Sequence, residues 1–287
     1  MSGLSRRALL RAGGGVVGLA AAGLVLGELV EEDRLPGRAR LHELIGNGEG
    51  TPFPEGPRGE LVSGSFDSAA RRGTATGWTV AYPHGTPTDA ALPVLVVLHG
   101  RGGDHTTAFT DLGLDRYASA AVAGGARPFA IATVDGGTGY WRPEPSGADA
   151  GRMVADELLP LLARRGLDVE RPALAGWSMG GYGVLRLAGL DLVPATSVAT
   201  LSPAVHRDEP TSADDVLGHP ERLVGVPVQV NVGAGDPYRP VDDDLVEGLR
   251  RAGVDVELHG GPGAHEARYW RTYVPGLLDF TLRHLAG

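Results

Sequence analysis

The sequence predicts an α/β domain with a mostly parallel central sheet, helices on both faces and an antiparallel hairpin at its N-terminal end. Three observations carry this. Short, almost unbroken apolar runs recur from residue 92 onward, as in strands buried on both faces. Stretches with helical periodicity separate these runs, and parallel neighbours need such crossovers. Ahead of them, Leu61 to Phe66 and Thr76 to Tyr82 are strand-like and joined by a polar Ala70-Arg71-Arg72-Gly73 turn, the pattern of a hairpin.

In chain order, Leu92 to Leu98 ends in His-Gly and Phe129 to Val134 ends in Asp-Gly-Gly, two strands followed by loops. Asp149 to Arg165 predicts a helix with Val154, Leu158, Leu161 and Leu162 on one side, although Pro160 interrupts its hydrogen bonding. Pro172 to Ala175 reads as a short strand running into Gly176, with a helix from Ser178 to Gly189 straight after it. Further strands are expected at Thr196 to Leu201 and Val226 to Val232. Between Val241 and Ala252 a helix places Val241, Leu245 and Leu249 on one face, with aspartates at its start and arginines at its end, matching the macrodipole. Val254 to Leu258 is the last expected strand and Arg268 to Leu285 the last helix. The pattern shows no internal repeat and no second domain. Ligands of such sheets bind at the carboxyl ends of the strands, so the chemistry belongs in the loops after them.

Composition narrows the function. A length of 287 residues with 42% hydrophobic content suffices for one sizeable core. The formal charge of −9 argues against a nucleic-acid partner, which would need clustered positive charge. Every basic side chain other than histidine is arginine, which excludes phosphate-loop NTPases, Schiff-base enzymes and Ser-Lys dyads. With no cysteine there are no disulfides, thiolate nucleophiles or Cys-ligated metals. The start, Ser5-Arg6-Arg7-Ala8-Leu9-Leu10-Arg11 followed by an uncharged run to Leu26, resembles a twin-arginine export signal with a small-residue cleavage site at Ala20-Ala21-Ala22. Residues 1–27 are therefore read as a signal directing the protein out of the cytoplasm, 28–59 as a surface linker or N-terminal extension, and 60–287 as the catalytic domain. Membrane contact is expected only through an uncleaved signal.

Gly176-Trp177-Ser178-Met179-Gly180-Gly181 lies between a predicted strand and helix, the context of a nucleophile elbow. The turn is too sharp for side chains beside the serine, so glycine stands at 176 and 180. It exposes the Ser178 hydroxyl at a helix N-terminus, where partial positive charge favours a developing oxyanion. A serine needs a base, and the base an orienting acid. Behind this elbow the acid precedes the histidine in the chain. Asp236 follows a strand in Gly235-Asp236-Pro237-Tyr238, and His265 follows the last strand in Gly263-Ala264-His265-Glu266. His259 is the rival base but ends the strand itself; His206 and His219 read as surface residues. For the oxyanion, the N–H of Met179 is one donor. The loop His99-Gly100-Arg101-Gly102-Gly103 supplies the other, with Arg101 N–H preferred and Gly102 next. Asp104 and His105 are too few to predict a metal. Trp177, Tyr182, Tyr140, Trp141, Tyr238 and Trp270 lie in or beside these loops and are candidates for an aromatic substrate pocket. No cofactor is expected.

With these motifs in this order, residues 60–285 resemble the α/β-hydrolase superfamily. Within it they are similar to the esterase branch that holds esterase D-like proteins, feruloyl and acetyl-xylan esterases and mycolyltransferases. The resemblance implies the α/β-hydrolase fold and hydrolysis of a small-molecule or glycan carboxylic ester through an acyl-serine. In the mycolyltransferases a sugar hydroxyl replaces water, so acyl transfer to a sugar or lipid hydroxyl stays open beside hydrolysis, as does a catalytically silent binding protein. No long insertion resembling a lipase lid is visible, which favours small or soluble esters.

Overall fold

The computed structural model describes residues 51–206 and 216–285. The expected signal and residues 28–50 of the expected linker lie outside the described residues. Eight strands form one sheet in the order β1-β2-β4-β3-β5-β6-β7-β8. They are β1 Glu60–Ser68, β2 Thr74–Tyr82, β3 Pro93–Leu98, β4 Ala130–Val134, β5 Asp168–Trp177, β6 Val198–Leu201, β7 Val228–Asn231 and β8 Val256–His259. The pairs β1–β2 and β2–β4 are antiparallel, and every later pair is parallel.

The unbroken apolar runs follow from burial on both faces. In β3, Val94, Val96 and Leu98 join one core while Leu95 and Val97 join the other. The second core is closed by α2, Leu114–Ala123, and α7, Ala267–Leu285, through Leu114, Tyr117, Trp270, Val274, Leu277 and Phe280. The first is closed by α3 Ala150–Met153, α4 Leu159–Arg164, α5 Met179–Gly189 and α6 Arg239–Ala252. A short helix, α1, spans Thr107–Thr110.

Besides the one-turn α1, which the sequence did not predict, two helices depart from the sequence expectation. Helix α2 had no counterpart there, because its buried face includes Asp115 and Ser119, which break the apolar stripe. Arg58 Nε donates to Asp115 Oδ2 at 2.7 Å, and the Ser119 hydroxyl donates to the Asp115 carbonyl at 2.8 Å, so each side chain finds one partner inside, while Asp115 Oδ1 has none among the described residues. The helix predicted across Pro160 divides: α3 and α4 flank a π-helical turn, Val154–Leu158, so that Pro160 falls in the first turn of α4, where its missing N–H costs little.

Residues 51–59, expected as surface linker, are docked onto the domain. Phe53 lies between the guanidinium groups of Arg116 and Arg271, 5.1 and 4.7 Å from its ring centroid. It sits over Gly113, where any Cβ would enter the ring. The Tyr117 hydroxyl donates to the Pro52 carbonyl at 3.2 Å. No helix among the described residues is long and apolar enough to cross a membrane.

Candidate active site

The end of β5 and the start of α5 nearly touch, which forces the conformation of the residue between them. A Cβ on Gly176 would run into the backbone of Gly180, and one on Gly180 into the carbonyl of Leu98. Ser178 therefore turns at φ 52°, ψ −122°, a region costly for a residue with a side chain. Backbone bonds hold it there: its N–H donates to the Leu201 carbonyl at 2.9 Å, and its own carbonyl accepts from Ala204 and Tyr182 at 2.9 and 3.1 Å.

The loops after β7 and β8 are stitched together. Ala234 and Gly235 donate to the Gly261 and Gly263 carbonyls at 2.8 and 2.9 Å. A Cβ on Gly233 would strike Gly263, so the two loops approach at backbone distance. This close approach brings Asp236 and His265 together. His265 Nδ1 lies 3.0 and 3.3 Å from Asp236 Oδ2 and Oδ1, and its Nε2 lies 2.8 Å from Ser178 Oγ. All three side chains expected to converge do so. The rival His259 instead faces Glu257 at 3.1 Å on the exposed edge strand, and His219 pairs with Glu221 at 3.2 Å.

Burial tends to raise the Asp236 carboxyl. That is the largest single effect, but the His265 charge and the hydrogen bonds from His265, the Ser202 hydroxyl and the Tyr238 N–H together outweigh it, so the carboxyl stays below the usual carboxylate range. Ser202 had no sequence signal. It follows β6, is fully buried at φ 47°, and accepts the Trp270 indole N–H at 2.9 Å. Trp270, expected in an aromatic pocket, thus reaches Asp236 through Ser202; its ring also meets the His265 imidazole edge-on at 4.9 Å.

Behind the elbow, the loop after β3 is tied to the loop after β4. His99 Nε2 accepts the Gly136 N–H at 2.8 Å, and Nδ1 lies 2.7 Å from the Gly100 carbonyl. Burial pushes the His99 pKa down, so the ring is neutral with its proton on Nδ1. Arg101 and Gly102 are exposed at the crest of this loop. The N–H of Met179, in the first turn of α5, has no carbonyl partner within the helix.

Of the aromatic residues, Trp141 requires correction: it is fully buried and has no face for a ligand. Its indole packs edge-on against His99 at 5.1 Å and fills space that Gly136 and Gly183 leave open. Trp177 is buried against Gly100. Tyr182 is largely buried, whereas Tyr140 and Tyr238 are half-buried. His206, expected at the surface, instead joins a row of rings leading from His265: Tyr238 at 5.1 Å, His206 a further 6.1 Å, Tyr140 5.2 Å beyond it and Tyr182 6.1 Å after that. The Arg142 guanidinium lies 5.8 Å from the Tyr140 and Tyr182 rings. Among the described residues no group of three or more His, Asp or Glu is arranged to hold a metal ion.

The family comparison matches residues 70–277 to the family described as "Putative esterase". The chain belongs to this esterase family. It is accordingly a carboxylic ester hydrolase. Solved structures agree on the α/β-hydrolase fold. A ferulic acid esterase superposes with a TM-score of 0.71 at 20% identity, over 79% of this chain and 99% of that one. The fluorophosphonate-binding serine hydrolase F of Staphylococcus aureus gives 0.66 at 18% identity, over 79% and 99%. An S-formylglutathione hydrolase from Agrobacterium tumefaciens gives 0.64 at 18% identity, over 83% and 100%. A search of curated proteins returns no match.

Proposed function

We propose that this esterase is exported and hydrolyses small carboxylic esters through an acyl-serine formed on Ser178. The observation that carries the reading is the 2.8 Å approach of His265 Nε2 to Ser178 Oγ, with Nδ1 of the same ring 3.0 Å from Asp236. The serine O–H donates to Nε2 and the Nδ1–H donates to Asp236, so the neutral imidazole takes the serine proton as Oγ attacks the ester carbonyl. The buried Asp236 anion stabilises the imidazolium that forms. The backbone N–H groups of Met179 and Arg101 receive the oxyanion. Collapse of the tetrahedral intermediate breaks the bond to the alcohol oxygen, which takes the proton from His265 Nε2. Water then repeats the sequence on the acyl-serine and releases the acid. Tyr238, Tyr140 and Tyr182 flank the path to the serine and contact the acyl or alcohol part.

S178A should lose about six orders of magnitude in turnover of p-nitrophenyl acetate, as removal of a triad nucleophile does in a serine protease. Turnover by S178A within tenfold of the parent would end the proposal. Transfer to a sugar or lipid hydroxyl shares every step up to the acyl-serine, and no feature of the described site favours an acceptor over water. Free acid as the sole product in the presence of a sugar acceptor is the expected outcome. Export is supported by the paired arginines and apolar run at the N-terminus. It predicts that the protein leaves the cytoplasm only in cells with a working twin-arginine translocase, and cytoplasmic retention in such cells would refute it.

A further inference from the structure

The loop between β3 and α1 stands on two feet, and both rest on consecutive residues after β4. The upstream foot is His99, whose Nε2 accepts the Gly136 N–H at 2.8 Å. The downstream foot is His105, held at three atoms. Its backbone N–H and its ring Nδ1 lie 2.7 and 2.9 Å from Asp135 Oδ1. Its carbonyl accepts the Thr133 hydroxyl at 2.5 Å. Asp135 is in turn fixed by the Gly77 N–H, which donates to Oδ2 at 2.8 Å, and Arg71 Nη1 donates to the Asp135 carbonyl at 2.8 Å. Glycine at 77 is required, because a Cβ there would lie 2.5 Å from the His105 ring and 2.8 Å from the Asp135 carboxylate. Between the feet run Gly100 to Asp104, with Gly102 at φ 78°.

We propose that Asp135 and His105 form a positioning pair that fixes the oxyanion donor on this loop, with the ring Nδ1–H donating a charge-assisted hydrogen bond to the carboxylate. The inference rests on the reading of the Arg101 N–H as that donor. A glycine-rich crest held at one end only would sample many conformations, whereas donors stabilise a transition state in proportion to how well they are placed beforehand. His105 touches no reacting atom in this account. It acts through the backbone, and its effect is confined to the step in which negative charge develops on the carbonyl oxygen.

The test compares H105F, which keeps ring volume without Nδ1, with H105N, whose amide nitrogen takes the Nδ1 position and can donate to Asp135. S178A is assayed in parallel. Active sites are titrated to completion with a fluorophosphonate, so that kcat refers only to folded, reactive protein. A misplacement of about 1 Å costs on the order of a hundredfold, so H105F should lose about ten- to a hundredfold in kcat. Its KM for p-nitrophenyl acetate should stay within about twofold, and a boronic acid that mimics the tetrahedral intermediate should bind more weakly by a factor similar to the kcat loss. H105N should recover most of the difference. A kcat per titrated site within twofold of the parent in H105F, a loss confined to KM, or H105N no better than H105F would overturn the proposal while S178A stays inactive. Retained turnover in S178A would instead overturn the catalytic reading on which the proposal rests.

Discussion

Replacing Asp236 by asparagine tests its role as the acceptor that sets the His265 tautomer, because the hydrogen bonds around it fix which way the amide must face. Oδ1 accepts the Tyr238 N–H at 2.9 Å, while Oδ2 faces His265 Nδ1 at 3.0 Å. In D236N the amide oxygen must stay on the Tyr238 side, leaving the NH2 group pointing at Nδ1. Two donors cannot face each other at that distance, so the imidazole switches to the tautomer with its proton on Nε2. That nitrogen lies 2.8 Å from Ser178 Oγ and would then donate to it, where catalysis needs an acceptor. The same substitution in a serine protease lowers kcat about 10⁴-fold, equivalent to about 5.4 kcal/mol at 1.36 kcal/mol per decade. Steady-state hydrolysis of p-nitrophenyl acetate at neutral pH measures it, with thermal unfolding as a check that the fold is intact. If folded D236N kept more than about a tenth of the parental kcat, the tautomer argument and the assignment of Asp236 would both be wrong.

Asp242 in α6 is fully buried, and neither carboxylate oxygen has a hydrogen-bond partner among the described residues. Burial first, and then the charges of Asp236 and Asp243, raise it well above the ordinary carboxylate range against the opposing pull of Arg239. Because the folded value is raised, the stability linked to this group is full below the unfolded pKa of about 3.9 and drains away as pH rises toward the folded value. D242N cannot ionise, so its stability relative to the parent should rise steadily as pH climbs above about 4. A difference in unfolding midpoint that does not change with pH would refute this. S202A removes the hydroxyl that bridges Trp270 and Asp236, and should cost about 1–3 kcal/mol in stability and about tenfold in kcat/KM. Denaturant unfolding and initial rates report both, and unchanged kcat/KM would remove Ser202 from the site. F53A should lower stability by about 2 kcal/mol in thermal unfolding, through lost burial and two cation–π contacts, with kcat unaffected. An unaltered melting temperature would return residues 51–59 to the status of a linker.

The strands were legible because burial on both faces leaves an unbroken apolar signature, as Leu92 to Leu98 shows, with its side chains shared between two cores. Helix α2 was not, because a stripe containing Asp115 and Ser119 reads as polar until Arg58 is seen to pair with Asp115. The elbow was legible because local sterics demand its glycines. Ser202 was not, because a serine after a strand has no local reason to be there. Its role depends on Trp270, 68 positions further on. Trp141 and His206 exchanged places for a similar reason: which ring is sealed against His99 and which joins the row of rings leading from His265 is decided by packing, to which composition and spacing are blind.

By itself the sequence determined the alternation of strand and helix and the glycine-flanked serine, since each reflects a constraint acting within a few residues. Only the tertiary structure decided that His265 and not His259 meets Ser178, that Ser202 and Trp270 support Asp236, and that both feet of the loop after β3 rest on Asp135 and Gly136. Those relations join residues far apart in the chain. They depend on sheet order and on close backbone approaches such as Gly233 to Gly263, which form only when the layers pack together.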